Sequence, residues 1–135
     1  MPVYTPPLRD IRFVLFELLD AAAEFAQLPP HAELDDATCS QVLDEGGRFA
    51  SEVLFPLNPV GDREGCHFDP ATGNVTAPAG FRDAYQQFVA AGWPSLACDP
   101  AFGGQGLPVA LNNALYEMLN SANQAWTMYP GLSHG

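Results

Sequence analysis

An all-α bundle of about four to five helices, carrying a small irregular or hairpin insertion, is the fold this sequence predicts. Three observations lead there. Apolar residues recur at helical spacing in four separate stretches, glycines and prolines fall between them, and one turn-rich segment near the middle is the only place suited to strands. With 135 residues, 47% of them hydrophobic and nine of them Phe, the chain can bury a real core as one domain and is too apolar for disorder by composition.

Tyr4-Thr5-Pro6-Pro7 reads as a stiff extended lead-in to a helix over Leu8–Asp20. Ile11, Val14, Leu15, Leu18 and Leu19 follow the spacing of one helix face. Phe13 and Phe16 fall outside that stripe, so this helix is expected to touch a second neighbour, a further domain or subunit. Leu28-Pro29-Pro30 ends the helix that Ala21–Gln27 continues. Residues 1–32 are expected to form an N-terminal extension, and residues 33–135 the helical domain proper.

A second helix should start at Asp35 or Asp36, both competent caps. Its stripe is Cys39, Val42, Leu43, Gly46, Phe49, Ala50 and Val53, and Leu54-Phe55-Pro56-Leu57-Asn58-Pro59 is expected to close it. Gly46-Gly47 inside the stripe costs helix propensity, about 1 kcal/mol per glycine, which close contact between helices would explain. Residues 61–77 read as turns, with Cys66-His67-Phe68 and Val75-Thr76 expected to pair across Asp69-Pro70 and Gly73-Asn74. A third helix carries Phe81, Tyr85, Phe88 and Val89 on one face and ends at a left-handed Gly92. The fourth opens at Pro108, carries Leu111, Leu115, Met118, Leu119 and Ala122, and is expected to break at Tyr129-Pro130-Gly131.

Charge narrows the function classes. Sixteen acidic residues against five basic ones give a net charge of −11. No cluster of basic residues exists to meet a phosphate backbone or an anionic lipid surface, so neither nucleic acid nor membrane is an expected partner. No apolar run approaches a membrane span, the first ten residues lack a secretory pattern, and Cys39, Cys66 and Cys98 are few and widely spaced. A cytoplasmic location is expected.

The chemical motifs are sparse. Gly103-Gly104-Gln105-Gly106 ahead of a helix admits two readings: a phosphate cradle built of free amides, or a tight turn passing close to a neighbour. It lacks the P-loop lysine. No metal site is expected, because Cys66-His67 stands far from His31 and His134 and no second cysteine is two to four residues away. Asp62, Glu64 and Asp69 do not match calcium-loop spacing, and neither a Gly-x-Ser-x-Gly elbow nor an HExxH pair occurs. Ser133-His134 is mere adjacency. The residues show no catalytic constellation.

Order and spacing of several segments nevertheless form a pattern. They are Tyr4-x-Pro6-Pro7-Leu8-Arg9-Asp10-Ile11-x-Phe13-Val14-Leu15, Phe55-Pro56-Leu57-Asn58-x-x-Gly61-Asp62-x-x-Gly65 and Val75-x-x-Pro78-x-Gly80-Phe81. Gly92-Trp93, Pro100-Ala101-Phe102-Gly103-Gly104-Gln105-Gly106-Leu107-Pro108 and Ala122-Asn123-x-Ala125 follow. Together they resemble the N-terminal helical domain of the acyl-CoA dehydrogenases, with the short extension of a mostly bacterial subgroup.

That resemblance implies a larger enzyme that converts an acyl-CoA to a 2-enoyl-CoA, of which this chain is the first part. FAD would be held by a β-barrel-like middle domain and a C-terminal four-helix bundle, and the catalytic carboxylate would lie further along. No catalytic or cofactor-binding residue is therefore expected in these 135. Coenzyme A is itself a polyanion, so an acidic chain is poorly suited to its phosphates. By position after Glu117, the residues Trp126, Thr127, Pro130 and His134, with Tyr129 among them, resemble places lining the acyl pocket. Trp126, Met128 and Tyr129 also fit plain core packing. As walls, bulky Trp126 and Tyr129 would shorten the cavity and favour short or substituted acyl groups. The implied partners are an acyl-CoA, an electron-transfer acceptor and further copies of the chain in a homo-oligomer. A free-standing acidic helical module that binds another protein is the alternative.

Overall fold

The computed structural model describes residues 3–133. After the lead-in, α1 (Leu8–Arg12) continues as a wider π-helical turn, Phe13–Leu18, in which the Leu19 amide reaches back five residues to the Val14 carbonyl. The change of register alters the face. Ile11 and Leu15 are buried, whereas Val14, Leu18 and Leu19 stand exposed along with Phe13. The single stripe expected from regular spacing is thus cut to two residues. Asp20, in a left-handed conformation (φ 48°), stops the turn, and α2 (Ala21–Ala26) follows.

Asp35 caps α3 (Asp36–Arg48), its carboxylate accepting the Thr38 amide at 2.8 Å. Cys39, Leu43 and Gly46 face the core as their spacing predicts. Both glycines in this helix mark close approaches. A methyl group on Gly46 would lie 2.8 Å from Leu115 Cδ1, and one on Gly47 would lie 3.3 Å from Pro6 Cγ. Arg12 fastens α1 to α3 by an ion pair with Asp44 at 2.7 Å and longer bonds to Ser40.

The helix does not close at residues 54–59, as its two prolines suggest it should. It passes through a π-helical segment, Phe49–Leu54, into α4 (Phe55–Glu64). The Phe55 amide still donates five residues back, to Ala50, and Pro56 comes next, where the register returns to that of an α-helix. A residue without an amide is tolerated there, because the switch of register already skips a bond. The expected turn region therefore shrinks by its first residues. It holds the antiparallel pair β1 (His67–Asp69) and β2 (Asn74–Thr76), with Phe68 opposite Val75.

The helix α5 (Phe81–Ala90) buries Phe81, Ala84 and Phe88, and leaves Tyr85 and Val89 partly exposed rather than on the core face. Gly92 ends it in the left-handed conformation, as the sequence predicts. The helix α6 (Val109–Ser133) is the central element, packed on α3, the π segment and α4. It supplies Leu111, Leu115, Met118, Leu119, Ala122 and Trp126 to the core. Among the described residues, no helix is long and apolar enough to cross a membrane.

The break in α6 lies at Asn123 (φ −161°, ψ 85°), not at Tyr129-Pro130-Gly131. Asn123 Oδ1 accepts the Trp126 amide at 3.0 Å, the geometry of a helix N-cap, so the second half of α6 starts afresh. Its Nδ2 donates to the Leu54 carbonyl at 3.1 Å, two residues before Pro56. Pro130 then falls inside a running helix. Replacing Asn123 by alanine removes the cap and the buried hydrogen bond to the Leu54 carbonyl, with an expected loss of about 2 kcal/mol. Asn123→Asp should do no better, since it keeps the cap but turns a second acceptor toward Leu54. Urea unfolding of both variants checks this, and an aspartate variant as stable as wild type would contradict it.

Candidate functional site

The kink at Asn123 decides where the next side chains go. The second half of α6 leans over the start of α5, and Trp126 Nε1 donates to the Phe81 carbonyl at 3.1 Å. The indole meets Phe88 and Phe49 edge-on, with ring centroids 5.4 and 5.9 Å away, and Tyr85 at 6.5 Å. Trp126 is 1% exposed. One turn on, Tyr129 stands edge-on to Phe81 at 6.1 Å, and its hydroxyl lies 3.3 Å from Cys66 Sγ, just ahead of β1. That hydrogen bond, then partial burial, push the Tyr129 phenol above its ordinary pKa.

Between these helices lies a cleft of about 280 Å³, lined by Ala77, Phe81, Arg82, Tyr85, Trp126 and Tyr129. Five of the six side chains are aromatic or methyl, and the sixth is an arginine. The wall offers shape, apolar surface and one cation. Among the described residues, its lining includes no carboxylate, histidine, cysteine or serine.

Of the residues singled out in the sequence, Trp126 and Tyr129 border this cleft together. Thr127 and Pro130 are buried on other sides of the helix, the Thr127 hydroxyl donating to the Asn123 carbonyl at 2.9 Å. His134 lies outside the described residues. Ala77, Arg82 and the pairing of α5 with α6 were not singled out. The sequence does contain Phe81/Tyr85 and Trp126/Tyr129, two aromatic pairs at helical spacing, but nothing local says that they face each other. Glu117 is exposed. Among the described residues, no group of three His, Cys, Asp or Glu side chains could hold a metal ion.

The glycine loop resolves to one of its two readings. The amides of Gly103, Gly104, Gln105, Gly106 and Leu107 donate to the carbonyls of Pro100, Asp99, Ser95, Cys98 and Leu96. None of the five is left to cradle a phosphate.

Two curated proteins match almost the whole chain. It is 39% identical over 133 residues to the 3-methylmercaptopropionyl-CoA dehydrogenase of Ruegeria pomeroyi, covering 98% of this chain and 22% of that protein. It is 34% identical over 134 residues to the broad-specificity linear acyl-CoA dehydrogenase FadE5 of Mycobacterium tuberculosis, covering 97% and 21% respectively. The chain thus spans about a fifth of the length of these relatives. No family model matches it.

Proposed function

We propose that this chain belongs to the acyl-CoA dehydrogenase family and is the N-terminal helical part of an enzyme oxidising an acyl-CoA to a 2-enoyl-CoA. The observation that carries the reading is the 39% identity sustained over 133 residues. In this reading the cleft of Trp126 and Tyr129 belongs to the wall that the acyl chain passes, and the neighbouring Thr127 and Pro130 support that wall. The exposed Phe13, Val14, Leu18 and Leu19 form a contact with another domain or subunit of a homo-oligomer. A separate electron acceptor and a cytoplasmic setting complete the picture.

The cleft offers apolar walls and one cation to a cofactor bearing a diphosphate, a lining that suits an acyl group better than FAD. The flavin and the catalytic base are assigned to other parts of the protein, and this chain binds and shapes only.

Reading the gene past codon 135 and assaying its full product tests the proposal. A continuing frame whose product reduces a dye acceptor with acyl-CoA is expected. A stop codon directly after Gly135 would favour the acidic interaction module instead.

A further inference from the structure

We propose that the cleft between α5 and the second half of α6 takes a ligand with an apolar body and a carboxylate end, and that Arg82 holds the carboxylate. This rests on the reading of the cleft as an acyl-facing wall and adds the chemistry of the ligand's far end.

The starting point is how few cations this chain has. It contains five arginines and no lysine. Arg12 is bound by Asp44 and Ser40, and Arg48 by Glu45. Arg82 has no ion pair or hydrogen bond among the described residues, and it is the only charged side chain lining the cleft. The other walls are Ala77, Phe81, Tyr85, Trp126 and Tyr129.

A guanidinium beside such walls discriminates among ligands. A carboxylate can accept two parallel N–H bonds from it, stronger than those of a neutral hydroxyl. Aromatic walls alone would suit a ligand cation, but Arg82 repels one. The neighbouring acids do not cancel this charge. Asp83 is adjacent in the helix, a spacing at which side chains do not face each other. The Glu64 carboxylate already accepts the Ala79 amide at 2.9 Å. Exposed charges more than about 8 Å away are largely screened at physiological salt. For an acyl-CoA, whose thioester occupies one end, the matching substrate is an acyl group with a carboxylate at the other.

The test uses the 135-residue chain labelled with ¹⁵N. The two tryptophan indole N–H signals are followed while octanoate, 1-octanol or octyltrimethylammonium is added below its micelle concentration. Trp126 lines the cleft, and Trp93 lies outside its lining and serves as the control. Octanoate and octanol should both move the Trp126 signal, and the ammonium compound should bind most weakly. In Arg82→Gln the affinity for octanoate relative to octanol should fall about three- to tenfold. Tyr129→Ala should weaken both ligands alike. An octanoate-to-octanol ratio unchanged in Arg82→Gln, with the Tyr129 effect intact, overturns the role of Arg82 and leaves the acyl wall standing. No movement of the Trp126 signal with any of the three ligands overturns both.

Discussion

Trp126→Ala is expected to lower stability by about 3–5 kcal/mol, the cost of emptying a filled core site. If Trp126 were a bare pocket wall, trimming it would enlarge the pocket and shift acyl preference at little cost in stability. Its surroundings argue otherwise within this chain. The ring is 1% exposed, packs on Phe49, Phe88 and Tyr85, and donates to the Phe81 carbonyl. Truncation removes these ring contacts and the hydrogen bond to the Phe81 carbonyl. Trp126→Phe should recover part of the packing and none of the hydrogen bond, falling in between. Urea melts of the three proteins decide, and a loss below about 1 kcal/mol for the alanine variant would mean that the indole is not packed as core on its inner side. The residue better placed to report on acyl preference is Tyr129, which is 45% exposed and reaches the cleft from one turn further on.

The same residues show which parts of the structure the sequence reveals. Local signals translated directly. Asp35 caps α3, Gly92 ends α5, and the hairpin pairs at Phe68 and Val75. Cys39, Leu43, Leu111, Leu115, Met118 and Leu119 lie buried where their spacing puts them. Each of these is decided within a turn or two of the chain, by a cap, a left-handed glycine or an apolar period.

Where the structure departed, a non-local term had intervened. A period of 3.6 presumes α-helical register, and the π turn after Arg12 removes that premise, so Val14 and Leu18 leave the core. Pro56 and Pro59 look like stops until a π segment carries the helix through to α4. Asn123 looks like an ordinary polar helix residue and is in fact the hinge of α6. The cleft was hidden for a related reason. Its two aromatic pairs are each visible in the sequence, but the kink that brings them together depends on the hydrogen bond from Asn123 to Leu54.

Gly104→Ala should be the most damaging change in the glycine loop, costing about 3 kcal/mol and roughly 10 °C in melting temperature. A methyl group there would overlap the carbonyl oxygen and carbon of Cys98, as well as its Cβ. A side chain can rotate away, but this carbonyl also accepts the Gly106 amide at 2.9 Å and cannot yield without opening the loop. Gly103 supplies the control. It has φ 85° and open space around its missing Cβ, so Gly103→Ala meets only backbone strain, about 1–2 kcal/mol. The predicted order, Gly104→Ala well below Gly103→Ala and wild type highest, separates contact from conformation. Thermal melts of the three proteins with and without 10 mM phosphate (a concentration of roughly this order suffices) also address the anion reading. Phosphate should shift none of them, because the loop amides are already bonded. A melting temperature for Gly104→Ala equal to that of Gly103→Ala would mean that the Cys98 carbonyl is free to move, and that close packing is not why glycine stands at 104.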